Sequence, residues 1–237
     1  MRRLPAVVGL VALVAGLFAP STAHAQQSLS FHLGGFVPRG EDSRGRESGL
    51  SNDVLVNNLD FLAFNVKDFK GGTAGMEYLA GLGNWFDAGL GVGIYKRSVP
   101  SVYADFVNDN GAEIEQTLRL RIIPFTATVR FLPMGRSSGI QPYIGGGLGV
   151  LNWRYSESGE FIDFRDTSIF RESFVGKGSA TGPVILGGLR IPAGLWSIGG
   201  EVRYQKAEGD LPADQDFSAS RIDLGGVTYL VTFNVRF

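Results

Sequence analysis

Acid–base chemistry would need histidine, and the 237-residue chain has two, His24 and His32. A Ser-His-acid arrangement requires a base within hydrogen-bond reach of an accessible nucleophile. His32 lies in an alternating segment without such a pattern around it, so it reads as a histidine bonded to polar neighbours. Cysteine is absent, which removes disulfides and thiolate metal sites. Asp210, Asp214 and Asp216 are spaced unlike a calcium loop and read as a solvated surface. The run Gly145-Gly146-Gly147-Leu148-Gly149 does not lead from a strand into a helix, so it is no phosphate loop. No catalytic residue, cofactor site or metal site emerges. The chemistry that remains is ionic: Glu77, Asp87, Arg119, Arg121, Arg130, Arg190, Glu201, Arg203 and Arg236 sit in apolar segments at alternating positions.

Strands must position those charges, because the hydrophobic period is two. The last eleven residues show it most clearly. Val227, Tyr229, Val231, Phe233, Val235 and Phe237 form one face, with Thr228, Leu230, Thr232, Asn234 and Arg236 opposite. Seven further strands are expected over about 29–38, 73–82, 86–95, 118–131, 142–155, 183–191 and 196–205. Strand four changes parity, Leu118, Leu120 and Ile122 giving way to Phe125, Ala127, Val129 and Phe131. One extra residue near Ile123-Pro124 would reconcile the halves, and a bulge tolerates proline. Strand five is ambiguous: Tyr143, Trp153 and Tyr155 favour one phase, Ile144, Leu148 and Val150 the other. Connections alternate between three short turns and four long polar stretches, at about 39–70, 96–116, 156–179 and 206–223. Trp85, Tyr143 and Trp196 flank short turns, while Tyr95, Trp153, Tyr155 and Tyr204 flank long stretches, as aromatic girdles would. The fold class expected is all-β, an eight-stranded antiparallel up-and-down transmembrane β-barrel.

The amino terminus supports export. Met1-Arg2-Arg3, an apolar run over Leu4–Ala19 and Ala23-His24-Ala25 together predict a cleaved signal peptide over 1–25, leaving a barrel over 26–237. An uncleaved anchor helix is the alternative. Net charge is −1 for the whole chain and near −3 once Arg2 and Arg3 are removed, so nothing basic points to nucleic acid. No later segment has the 18 apolar residues of a spanning helix, and only a closed barrel satisfies backbone groups in lipid otherwise. A charge near mid-strand facing lipid would cost ~2–4 kcal/mol. In a membrane, therefore, the nine charges face the lumen and pair there as an ionic network. The competing arrangement is a soluble lipocalin-like barrel with a greasy interior and those charges in water.

The segments Ile122-Ile-Pro-Phe-Thr-Ala-Thr-Val-Arg-Phe-Leu-Pro133, Gln141-Pro-Tyr-Ile-Gly-Gly-Gly-Leu-Gly-Val150 and Gly199-Gly-Glu-Val-Arg-Tyr204, with the terminal Phe237, resemble small bacterial outer-membrane barrels of OmpW-type and OmpA-like layout. The resemblance covers most of the chain after residue 25 and is architectural. It implies an outer-membrane location, monomeric, among membrane lipid and lipopolysaccharide, with insertion by the barrel-assembly machinery. It also implies that Tyr229, Val231, Phe233, Val235 and Phe237 form the assembly signal.

Three roles then compete. Eight strands leave a lumen that side chains just fill, which favours a structural or envelope-surface role with a plugged interior. Passage of small apolar molecules would need a hydrophobic pocket under the loops, and Phe61, Phe64, Phe69, Phe161, Phe164, Phe170 and Phe174 are available to line one. Outer-membrane enzymes resembling this layout use a histidine beside Ser, Asp or Glu, and His32 alone would have to serve.

Overall fold

A computed structural model describes residues 26–44, 52–163 and 165–237; the expected signal peptide lies outside them. Eight strands close into one antiparallel ring: β1 (Gln27–Pro38), β2 (Gly71–Leu82), β3 (Phe86–Val107), β4 (Glu113–Phe131), β5 (Gln141–Ile162), β6 (Ile169–Ala193), β7 (Trp196–Gln205) and β8 (Gly226–Arg236). Each strand pairs with its sequence neighbours, and β8 returns to β1 with Leu29 opposite Val235 and Phe31 opposite Phe233. Closure leaves no free edge over the length that all eight strands share.

Parity fixes what each face meets. Phe31, Leu33, Leu90, Ile94, Phe125, Val129, Ile144, Leu148, Ile185, Ile198, Val202, Val231 and Phe233 point outward and are exposed, forming a continuous apolar belt. Trp85, Phe86, Phe131, Trp196 and Phe237 end that belt beside the short turns, with Tyr204 and Tyr229 on its other side. Tyr95, Tyr143, Trp153 and Tyr155 do not join these aromatics. All four are buried inside the barrel. On β5 the odd residues face inward throughout, which settles its phase.

Two of the four stretches expected as polar loops are strand. The β3–β4 and β5–β6 hairpins continue to tight connections at 108–112 and 163–168. At about 3.4 Å per residue, the 22 residues of β3 reach on the order of 70 Å, far beyond a ~30 Å hydrocarbon layer. Polar residues are no obstacle there, because both hairpins pair with each other from Gln116 opposite Gly159 down to Phe131 opposite Ile144. That register is unbroken, so the bulge expected near Pro124 does not exist. The register shift in β4's pairing with β3 falls between Val102 and Val107 instead. Even residues of β4 face inward from Ile114 to Arg130. The apolar set changes face because the surroundings change, from apolar outside to apolar inside.

The remaining connections cap the barrel mouth. A helix α1 (Val54–Asn58) and a 3-10 turn (Val66–Phe69) bury Val54, Leu55, Val66 and Phe69. They pack with Phe36, Tyr95, Leu118, Leu120, Ile122, Trp153 and Tyr155 from the strands and with Leu211, Ile222 and Leu224 from the β7–β8 connection. Asp53 ties the cap together. Its side chain accepts from Leu55 N at 3.1 Å and Val56 N at 3.2 Å, capping α1. It also accepts from Asp223 N at 2.6 Å and from Arg44 Nη1 at 3.0 and 3.1 Å.

Candidate functional site

Beneath the apolar cap, the lumen at belt level is ionic. Four charges from three strands form a closed circuit. Arg130 Nη2 donates to Glu77 Oε2 at 2.6 Å and to Glu201 Oε2 at 2.9 Å. Arg203 Nη2 donates to Glu201 Oε1 at 2.6 Å and to Glu77 Oε2 at 3.2 Å. Thr128 Oγ1 donates to Glu77 at 2.9 Å and Tyr143 OH to Glu201 at 3.0 Å. Desolvating a single ion costs several kcal/mol, and only near-complete pairing offsets it. Here each carboxylate meets both guanidinium groups and one hydroxyl.

A second knot lies nearer the short turns. Asp87 accepts from Arg190 Nη2 at 2.9 Å and from Arg136 of the β4–β5 turn. The Tyr143 ring joins the two knots, with the Arg130 guanidinium carbon 5.0 Å and that of Arg190 5.4 Å from its centroid. Glycines provide the room. A Cβ on Gly89 would lie 2.4 Å from Glu77 Oε1, and one on Gly188 would lie 2.5 Å from both the Gly200 carbonyl oxygen and Tyr143 Cζ.

Of the nine charges read from alternation, Glu77, Asp87, Arg130, Arg190, Glu201 and Arg203 meet in these two knots. Arg236 is half-buried and donates to Gln141 Oε1 at 3.3 Å, outside them. Arg119 and Arg121 are the correction: both are exposed on the outer face of β4, beyond the apolar belt, and neither faces the lumen. Arg136, Thr128 and Tyr143 were not read as members. Arg136 sits in a turn, where no period marks it, while inward parity could have marked the other two. His32 is buried at a small cavity of about 30 Å³ lined also by Thr126, Arg203 and Gln205. No histidine hydrogen bond to a serine occurs among the described residues.

The apical end carries a different constellation. Glu157 Oε1 accepts from Asn58 Nδ2 at 2.7 Å and from Tyr155 OH at 2.8 Å. Burial pushes the Glu157 carboxyl above its ordinary value, and burial likewise pushes the Tyr155 phenol up. Asp53 is also raised by burial, with the Arg44 charge opposing that effect. Above Glu157 opens a groove of about 450 Å³ lined by Phe61, Tyr103, Phe161, Phe170 and Phe174, with Asp163, Arg165 and Asp216 at its rim. Phe161 stacks on Phe170 at 5.8 Å and meets Phe174 edge-on at 4.8 Å. Of the seven phenylalanines considered for a pocket, four line this groove. Phe69 is instead fully buried in the cap, Phe64 packs against it, and Phe164 lies outside the described residues. Asp210, Asp214 and Asp216 do not converge, and no metal-ligand cluster occurs among the described residues.

No family model and no curated protein matches the chain. Among solved structures it is similar to Neisserial surface protein A (9% identity, 90% of this chain and 97% of that chain, TM-score 0.45). It is similar also to Ail, the attachment invasion locus protein of Yersinia pestis (15%, 90% and 99%, TM-score 0.44). A third is the outer membrane protein AlkL (12%, 92% and 94%, TM-score 0.40). These likenesses are loose, and the fold rests on the chain's own closed hydrogen-bonded ring.

Proposed function

We propose that the chain is an integral outer-membrane barrel with a structural or surface-presenting role and a closed lumen. The observation that carries this reading is the pair of stacked plugs inside one ring. At belt level the Glu77–Arg130–Glu201–Arg203 circuit crosses the lumen. Above it the apical core, with Phe69, Leu120 and Tyr155 fully buried, crosses it again. An ion would have to break a paired circuit and then cross an apolar layer. The exposed apolar belt supports the membrane location, since a solvent-facing apolar band of this extent is unusual on a soluble protein. Planar-bilayer recording tests the closed lumen: the reconstituted protein is expected to give no stable open-channel steps, and a sustained conductance would overturn the reading.

The aromatic groove favours a second role beside this one, capture of small apolar molecules at the cell surface. Glu157 lines it and is bonded to the fully buried Tyr155, which supports binding more than transport. Uptake of apolar solutes into vesicles bearing the barrel tests the transport alternative, and uptake above protein-free vesicles would restore it.

A further inference from the structure

The outer face of the two long hairpins carries a row of cations set by strand register. Lys96 of β3 stands opposite Arg121 of β4, Arg121 opposite Arg154 of β5, and Arg154 opposite Lys177 of β6. All four are outward-facing and exposed. Adjacent strands lie about 4.8 Å apart, so four positive charges stand side by side over four strands. Arg119, two residues further along β4, adds a fifth on the same face. None of the five forms an ion pair among the described residues. Like charges directly opposite in a sheet are destabilising, by about 1 kcal/mol per neighbouring pair even in water.

The position of the row is as informative as its charge. Directly below it come Ile94 and Ile123 on β3 and β4, in register with Asn152 and Ser179 on β5 and β6; next come Val92, Phe125 and Val150, in register with Thr181, and then Leu90, Ala127 and Leu148. From Phe86 to Ile94 that apolar face runs about 27 Å along the strand. With the ~40° tilt usual in such barrels it covers on the order of 20 Å of depth. On β3 and β4 the cations therefore begin where the apolar belt ends, and on β5 and β6 a short polar step, Asn152 with Ser179 and Thr181, lies between. The nearest outward acids on β4, Glu113 and Glu115, lie further up. Guanidinium groups pair with phosphate through two parallel hydrogen bonds, and a membrane-surface cation contributes about 1 kcal/mol toward anionic lipid.

We propose that Lys96, Arg121, Arg154 and Lys177, with Arg119, form a binding site for the phosphate-bearing headgroups of lipid in the leaflet at the apical side. The proposal rests on the membrane reading above, and its test separates the two. The full barrel and the variant K96Q/R121Q/R154Q/K177Q are refolded in detergent, and heat-modifiable migration with strand-rich circular dichroism reports folding. Loss of folding in detergent by the wild type itself would count against the membrane barrel, whatever the lipid result. Native mass spectrometry then measures retention of a phosphorylated lipid A, its dephosphorylated form, and free inositol hexakisphosphate. The expected result is retention of the phosphorylated lipid by the wild type, lowered at least about tenfold in the variant and unchanged in a K67Q/K70Q control. Equal retention by wild type and row variant would overturn the site. Equal retention of phosphorylated and dephosphorylated lipid would overturn the headgroup chemistry. Inositol hexakisphosphate held as tightly as the lipid would show a soluble-polyanion site and overturn the lipid assignment. Should the fourfold variant not fold, R121Q/R154Q removes the two central cations and carries the same expectations.

Discussion

Arg130 Nη2 lies 2.6 Å from Glu77 Oε2, joining β4 to β2 across the lumen with both side chains buried. Removing Arg130 leaves the buried Glu77 and Glu201 carboxylates sharing Arg203 alone, an uncompensated charge inside the barrel. Arg130→Ala is expected to lower folding stability by about 3–5 kcal/mol, read from urea unfolding in detergent. Its lumen should stay closed to ions, because the apical core is untouched. A loss within about 0.5 kcal/mol, the range of ordinary surface substitutions, would show that the circuit is not the plug described.

Gly188 has Tyr143 Cζ and the Gly200 carbonyl oxygen both within 2.5 Å of where a Cβ would stand. Gly188→Ala should therefore destabilise by about 1–3 kcal/mol through overpacking. Gly139→Ala, with nothing within 4 Å of its Cβ, should be close to neutral. Similar unfolding midpoints for the two would contradict the close approach.

Glu157 provides the pH dependence. Its folded value is raised by burial, so the protonated form is the one the fold favours. The associated stability is fully present below the ordinary carboxylate value near 4.3 and is lost as pH rises from there through the raised value. Amide exchange around Asn58 and Tyr155 should accordingly speed up over that window beyond the intrinsic pH effect. Glu157→Gln should abolish the added slope while keeping a neutral acceptor for Tyr155 OH. An unchanged slope in that variant would assign the effect elsewhere, Asp53 first.

Assembly is expected to depend on the last strand's outer face. Phe233 stacks on Trp196 at 5.1 Å, and Phe237 is exposed with its amide donating to Gln27 O at 3.0 Å. Deleting Phe237, or replacing Phe233 and Phe237 with Ser, should leave export intact yet reduce the heat-modifiable fraction in the outer membrane. Asp214→Ala, at an exposed loop position, should do neither. Normal insertion of the deletion variant would remove Tyr229, Val231, Phe233, Val235 and Phe237 from the role of insertion signal.

Alternation by itself determined the eight strands, their order and, for Glu77, Asp87, Arg130, Arg190, Glu201 and Arg203, the inward face. A period of two is a local property of the chain, legible wherever one side of a strand is apolar and the other is not. What lies on each side is not local. Arg119 and Arg121 share the outward parity of Phe125 and Val129 on the same unbroken strand. Yet they project beyond the apolar belt, so the same alternation there has an apolar inside and a polar outside. The sequence records that exchange as a parity change, which a bulge would also produce. Only the continuous register with β5 distinguishes them. The polar composition of 96–116 and 156–179 hid strand for the same reason, since a hairpin in water tolerates polar residues that a membrane strand does not. Partner choice was equally out of reach. Glu77 meets Arg130 and Arg203 across 53 and 126 residues of chain because the ring closes β1 onto β8. The cation row needs four strands in one register before its members become neighbours.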